Sequence, residues 1–115
     1  MRIISIKGTN IPLTDAIKSR VESKAVALEK LTAGFEPAAE LTVEVGKSTK
    51  HHSKGPFFTA EFQLHVRGSE MRAVALEENL YHAIGQACDQ TRRQLKEYKD
   101  KLQDRSQKGT RPGKQ

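Results

Sequence analysis

The sequence has little of the chemistry that builds disulfides, metal centres or membrane spans. It contains one cysteine, Cys88, so neither an internal disulfide nor a cysteine-based zinc finger can form. No stretch approaches the roughly 18 apolar residues of a transmembrane helix, and the N-terminus lacks a cleavage pattern. We therefore expect no membrane partner, and we expect the protein to be cytoplasmic. A single reduced, buried thiol is consistent with that compartment.

Signatures of catalysis and of cofactor binding are missing as well. There is no glycine-rich nucleotide motif, no P-loop and no His-Glu-x-x-His pattern. The adjacent His51 and His52 fit a basic polar loop better than a metal site. His65 and His82 have no evident Ser or Cys partner, so a nucleophilic triad is unsupported. We expect no catalytic residue, no metal and no cofactor, and a small enzyme is the weakest reading of this chain.

The net positive charge comes entirely from the C-terminal quarter of the chain. The net charge is +6, yet eleven Lys and Arg side chains balance eleven Asp and Glu side chains in residues 1–90. Residues 91–115 carry nine cations against three anions. Such a concentrated field attracts polyanions, of which nucleic acid is the commonest and an acidic membrane surface the second. A solvated helix face followed by a disordered basic tail remains the simplest alternative.

The charged segment coincides with a long amphipathic helix predicted over residues 80–102. Its apolar positions recur at spacings of three and four, which places them on one stripe: Leu80, Ile84, Ala87, Cys88, Thr91, Leu95, Tyr98 and Leu102. Basic side chains lie off that stripe. The helix therefore has one face for packing and another for a partner. After Leu102 no apolar residue follows, so we expect a domain over residues 1–104 and a disordered basic tail over 105–115.

The remaining pattern predicts six elements in the order β-α-β-β-β-α. Strands are expected over residues 2–7, 41–45, 58–67 and 71–75, and a first helix over 14–33. Each strand alternates, so the sheet has one buried face, and both helices cover it in an α+β two-layer sandwich. The first two strands should be parallel with a right-handed crossover, and the last three antiparallel. The expected core contains Leu41, Val43, Val45, Phe58, Phe62, Leu64, Ile84 and Leu95.

Seven residues are candidates for contact with RNA. Arg92, Lys96 and Lys99 share one helical line, Arg93 is offset by about 100°, and Lys24 lies on the same broad side if the two helices are neighbours. The full set is Lys24, Arg92, Arg93, Gln94, Lys96, Lys99 and Lys101. Tryptophan is absent and the four Phe belong to the core or to loops, which argues against stacking of single-stranded bases. Recognition of shape and phosphates on folded RNA fits better.

Two stretches resemble a known family. They are Gly8-Thr9-Asn10 with Leu13-Thr14-Asp15-Ala16-Ile17 and the following Val21-x-x-Lys24-x-x-x-Leu28-Glu29-Lys30, and Leu80-Tyr81-x-Ala83-Ile84 with Arg93-Gln94-Leu95-Lys96-x-x-Lys99-x-Lys101-Leu102. They resemble the ribosome hibernation-promoting factors, also called ribosome-associated inhibitors or sigma-54 modulation proteins, over roughly residues 1–104.

The resemblance implies a fold like that of double-stranded-RNA-binding domains and a non-enzymatic function. Such proteins bind the small ribosomal subunit and its rRNA, overlap the mRNA and tRNA positions, and silence ribosomes in stress or stationary phase. Short forms, which this chain resembles, either promote ribosome dimers with a second factor or hold single ribosomes inactive. We expect the protein itself to be a monomer, since the dimerisation domain of long forms is not seen here. The alternative is a double-stranded-RNA-binding module with a non-ribosomal target.

Overall fold

A computed structural model describes residues 1–48 and 57–110, and it describes side chains as far as residue 103. The predicted loop histidines, His51 and His52, lie outside the described residues. So do residues 111–115 of the predicted tail.

The six predicted elements occur in the predicted order. They are β1 (Arg2–Thr9), α1 (Asp15–Thr32), β2 (Glu40–Ser48), β3 (Phe57–Val66), β4 (Ser69–Glu77) and α2 (Leu80–Thr110). The largest difference is at the end of α2, which continues eight residues beyond Leu102. The division of the chain at residue 104 into a domain and a tail stays a prediction, although the backbone of residues 105–110 is helical.

The strands form one four-stranded mixed sheet in the order β1-β2-β3-β4. β1 and β2 are parallel, and β2, β3 and β4 are successively antiparallel, as predicted. The β3–β4 hairpin turns on Arg67 and Gly68, whose φ angles are 51° and 83°. Positive φ at both central residues is the pattern of a type I′ turn, which matches the twist of the flanking strands.

Both helices begin at side-chain caps. Thr14 Oγ1 accepts a hydrogen bond of 3.2 Å from the Ile17 amide at the start of α1. Asn79 Oδ1 accepts from the amides of Tyr81, at 2.8 Å, and His82, at 3.2 Å, at the start of α2. These bonds satisfy backbone donors that the first turn of a helix leaves unpaired.

The core lies between one face of the sheet and the two helices. Alternate residues of β2, β3 and β4 are buried there against the apolar stripes of both helices: Leu41, Val43, Val45, Ala60, Phe62, Leu64, Val66, Met71, Ala75, Ile17, Val21, Leu28, Ile84 and Leu95. The prediction was wrong only for Phe58, which is partly buried. This residue is next to the first residue of β3 and packs at the margin of the core.

The opposite face of the sheet is open and mostly polar, with Val74 and Leu76 exposed on β4. Carboxylates on this face are paired: Glu40 with Arg2 at 3.7 Å, and Glu61 with Arg72. The latter pair raises the pKa of the Arg72 guanidinium, mainly through its hydrogen bond to Glu61. Two of the cations on this face, Arg2 and Arg72, are thus held in ion pairs.

Candidate nucleic-acid interface

The two helices meet side by side and run in the same direction. The Arg20 guanidinium lies 4.8 Å from the centre of the Tyr81 ring. Further along, Cys88 Sγ donates to the Lys24 carbonyl at 3.3 Å. The third contact is between Lys99 and the carbonyl of Leu31, near the end of α1. We call this line of contacts, from Arg20–Tyr81 to Leu31–Lys99, the helical seam.

Predicted cations from both helices lie along the helical seam. The Lys24 side chain lies beside Gly85, since a Cβ added to Gly85 would be 3.8 Å from Lys24 Cε. On α2, Arg92 and Lys96 are four residues apart on the side that faces α1. Arg92 is half-buried and lies 4.0 Å from Asp89, whereas Lys24 and Lys96 are exposed. The structure therefore brings three of the predicted residues together across two helices.

Arg93 lies on the outer surface of α2, opposite the buried stripe. Its side chain is exposed. Among the residues that the structure describes, no carboxylate forms an ion pair with Arg93, Lys24 or Lys96. These three cations are available to an external anion without the loss of an internal salt bridge.

Gln94 and Lys101 lie on the other side of α2. Gln94 Nε2 donates a hydrogen bond of 2.9 Å to the Arg72 carbonyl of the edge strand β4. Lys101 follows seven residues later, so it is within about 20° of Gln94 around the helix, and it is exposed. The amide of Gln94 is thus engaged at the sheet edge, and Lys101 lies apart from the helical seam.

The ammonium group of Lys99 already has contacts within the protein. Its Nζ donates a hydrogen bond of 2.8 Å to the carbonyl of Leu31. The same ammonium is 5.9 Å from the centre of the Phe35 ring. Lys99 is half-buried, in contrast to Lys96 on the same helical line. Lys96 and Lys99 therefore lie on the same helical line but in different environments, one exposed to solvent and the other in contact with α1.

The sequence prediction did not include Arg20 among the candidates. Its guanidinium extends the row of cations to the N-terminal end of the helical seam, where it stacks on Tyr81. A usable signal was present, because Arg20 precedes Lys24 by four residues and shares its side of α1.

The thiol of Cys88 lies under the helical seam and is 3% exposed. Burial raises the pKa of this thiol to about 11, and the negative charge of Asp89 adds to the effect. Lys24 and Arg92 favour the thiolate, but the cost of burying a charge is larger. Cys88 is therefore a neutral packing residue at physiological pH, as the sequence predicted.

The described part of the chain offers neither a metal site nor a membrane span. Among the described side chains, which belong to residues 1–48 and 57–103, no three His, Cys, Asp or Glu are grouped so that they could hold a metal ion. Neither described helix combines the length and the mean hydropathy required of a membrane span.

Comparison with known proteins relates the chain to proteins of the ribosome. A family model described as "Sigma 54 modulation protein / S30EA ribosomal protein" matches residues 4–103. A ribosome hibernation promotion factor of a Picosynechococcus strain is 37% identical over 97 residues, which are 84% of this chain and 48% of that protein. The ribosome hibernation promoting factor of Escherichia coli K12 is 31% identical over 99 residues, 86% of this chain and 95% of that protein. The chain thus spans about half the length of the first relative and nearly all of the second.

Solved structures have the same fold. The N-terminal domain of Protein Y from Thermus thermophilus superposes with a TM-score of 0.69 at 28% identity, covering 85% of this chain and 99% of that one. A ribosomal subunit interface protein from Coxiella burnetii gives a TM-score of 0.66 at 16% identity, covering 87% and 99% of the two chains. The resemblance inferred from sequence is confirmed, and the chain belongs to the Sigma 54 modulation protein / S30EA ribosomal protein family.

Proposed function

We propose that this protein is a ribosome-hibernation factor that binds the small ribosomal subunit through the helical seam. The observation that carries the proposal is the row of cations on the helical layer of a domain that belongs to this family, of which Lys24, Arg93 and Lys96 have no ion-pair partner among the described residues. Relatives that are 31–37% identical to it over 97–99 residues are named ribosome hibernation factors. A structural neighbour is named a ribosomal subunit interface protein.

The geometry suits phosphate recognition on folded RNA. Lys24 on α1 and Lys96 on α2 present two exposed ammonium groups on the two sides of one seam, with Arg92 between them. Arg93 adds a guanidinium on the outer surface of α2. Cations on two rigid helices can span phosphates of an RNA backbone, because such contacts require positive charges at fixed positions and no base-specific group.

In this mechanism the protein acts by occupancy and carries out no reaction. The domain lies in the mRNA and tRNA channel of the small subunit, in contact with rRNA, and excludes the ligands of translation. Ribosomes remain inactive in the cytoplasm during stress or stationary phase. The bound state consists either of single ribosomes or of ribosome dimers formed with a second factor, and sucrose gradients of treated ribosomes distinguish the two.

The test is co-sedimentation with purified small subunits over a range of salt concentrations. The variant Arg93→Ala/Lys96→Ala removes two exposed cations that form no ion pair with any described residue. Each phosphate contact contributes roughly 0.7–0.9 to the slope of log affinity against log salt, so this slope should fall by about 1.4–1.8. Inhibition of translation in an extract should weaken in parallel.

The matched control is Lys7→Ala/Lys18→Ala, which removes the same charge elsewhere. Lys7 lies on the open face of the sheet, and Lys18 is about 120° around α1 from Lys24. The control should bind with nearly the wild-type salt slope. If the slope of log affinity against log salt falls by the same amount in both variants, net charge alone drives binding and the helical seam is not the interface. If the wild type binds duplex RNA but not subunits, the target is a non-ribosomal RNA.

A further inference from the structure

Lys99 differs from the other cations of the helical seam in its environment. It is half-buried, and its ammonium donates to the Leu31 carbonyl at 2.8 Å. Leu31 is the penultimate residue of α1, which ends at Thr32. The last four carbonyls of a helix have no intrahelical donor, and they carry the negative end of the helix dipole. An ammonium group from the neighbouring helix satisfies both the hydrogen bond and the charge.

Neighbouring groups of α1 already have partners. Thr32 Oγ1 donates to the Leu28 carbonyl at 2.9 Å, and the Phe35 amide donates to the Thr32 carbonyl at 3.2 Å. The Leu31 carbonyl takes its donor from α2. Lys99 is thus the side chain through which α2 completes the C-terminal end of α1.

Two aromatic rings, Phe35 and Tyr98, lie near the hydrogen bond between Lys99 and Leu31. The Phe35 ring, 5.9 Å from the Lys99 ammonium, packs against Tyr98 with ring centres 6.3 Å apart. A second cation, Arg67, lies 5.9 Å from the same ring. The ring favours a positive charge beside it, so the ammonium is stabilised in place by a carbonyl and by an aromatic ring.

We propose that Lys99 is a positioning residue that holds the two cationic helix surfaces in register, and that it does not contact phosphate. It joins the helices about five turns from the start of α2, at the opposite end of the helical seam from the Arg20–Tyr81 contact. Lys24 belongs to α1 and Lys96 to α2, so their separation depends on how the helices are held together. This inference rests on the proposed function, and it assigns to Lys99 a role opposite to the one its position on the helical line suggests.

The competing role is a direct phosphate contact. An ammonium has three donors, of which the Leu31 carbonyl uses one. A phosphate contact made by the remaining donors would contribute to the salt dependence of binding, as Lys96 should. A positioning role changes affinity by the same factor at every salt concentration, because no condensed counterion is released by Lys99 itself.

The experiment compares Lys99→Met with Lys96→Met, since methionine keeps a long apolar stem and removes the charge. Lys99→Met should lower the Tm by about 3–6 °C, through loss of the helix-end contact. It should also weaken binding to small subunits uniformly, with the wild-type salt slope. Lys96→Met should leave the Tm within about 1 °C, because substitutions of exposed side chains change stability little. It should lower the slope by roughly 0.7–0.9. Lys99→Arg, which can still donate to the carbonyl, should recover most of the lost Tm.

Two results would overturn the proposal. One is a Lys99→Met variant with an unchanged Tm and a salt slope reduced as in Lys96→Met, which would make Lys99 a phosphate ligand. The other is a variant with unchanged Tm and unchanged binding, which would leave Lys99 without either role. A failure of the proposed function looks different, because the wild-type protein itself would then not sediment with small subunits.

Discussion

Gly85 is a glycine within a helix that has room for a side chain. It lies in the second turn of α2, where glycine is about 0.8–1.0 kcal/mol less favourable than alanine. A Cβ at this position would meet Lys24 Cε at 3.8 Å and Nζ at 4.0 Å, which are ordinary van der Waals separations. Those atoms are the flexible end of a side chain. The added methyl group therefore fits, and Gly85→Ala should stabilise the fold by about 0.5–1 kcal/mol.

Thermal and urea unfolding followed by circular dichroism measure this effect. A stabilisation of this size raises the Tm of a domain of this length by about 2–6 °C. The urea midpoint should rise with an unchanged m value, because the surface exposed on unfolding hardly changes. The helical signal before unfolding should stay the same, since α2 is already continuous through this position.

Gly68→Ala is the matched control, with the same atomic change in a different backbone. Apart from its chain neighbours, no atom of the described residues lies within 4 Å of a Cβ at Gly68, but its φ is +83°. An L-residue is strained there, so this variant should be destabilised by about 1 kcal/mol despite the empty space. Destabilisation by Gly85→Ala would refute the reasoning, because it would mean that α1 and α2 approach more closely than the Lys24 contact indicates.

Two further predictions concern the core and the thiol. Leu64→Ala, at a position with 0% exposure, should lower the free energy of unfolding by about 2–5 kcal/mol in urea titrations, and a loss below about 1 kcal/mol would contradict its burial. Cys88 has a pKa raised from 9.0 to about 11, so the unfolded chain releases this proton at lower pH than the folded one. The stability of the wild type relative to Cys88→Ala should therefore be constant below pH 9 and fall as the pH rises towards 11, by at most about 1.4 kcal/mol per unit. A thiol alkylated by iodoacetamide at pH 8 as fast in the folded as in the urea-unfolded protein would contradict this burial.

The fold was predictable because apolar and polar residues alternate along its strands, and this alternation indicates which face of each strand is buried. In β4, Met71, Ala73 and Ala75 are buried while Val74 is 50% exposed, which is the alternation that the sequence displays. Apolar periodicity is weaker evidence for where an element ends. Residues 105–110 have no apolar anchor, yet the backbone of α2 continues through them, since a helix already nucleated adds residues at little cost.

The candidate site was predictable only in part, because a helical period gives the side of a helix and not its neighbour. Lys96 and Lys99 share one line in the sequence, but Lys99 is level with the end of α1, where the carbonyl of Leu31 accepts a hydrogen bond from its ammonium. Gln94 is bound in the same way by an edge carbonyl of β4. Both contacts depend on how α2 is aligned along the rest of the fold, which no local pattern encodes.

The alignment of α2 with α1 also brings cations to the basic surface that the distribution of charge along the sequence does not reveal. Residues 1–90 are neutral in sum, which points to the C-terminal quarter as the source of the positive field. Folding nevertheless places Arg20 and Lys24 of α1 beside α2, while carboxylates of β2 and β3 pair on the opposite face of the sheet. A neutral segment thus contributes to a basic surface because its charges are separated in space. The electrostatic footprint of the domain is a property of two helices held in register, so it should depend on the contacts between them as much as on the number of cations in α2.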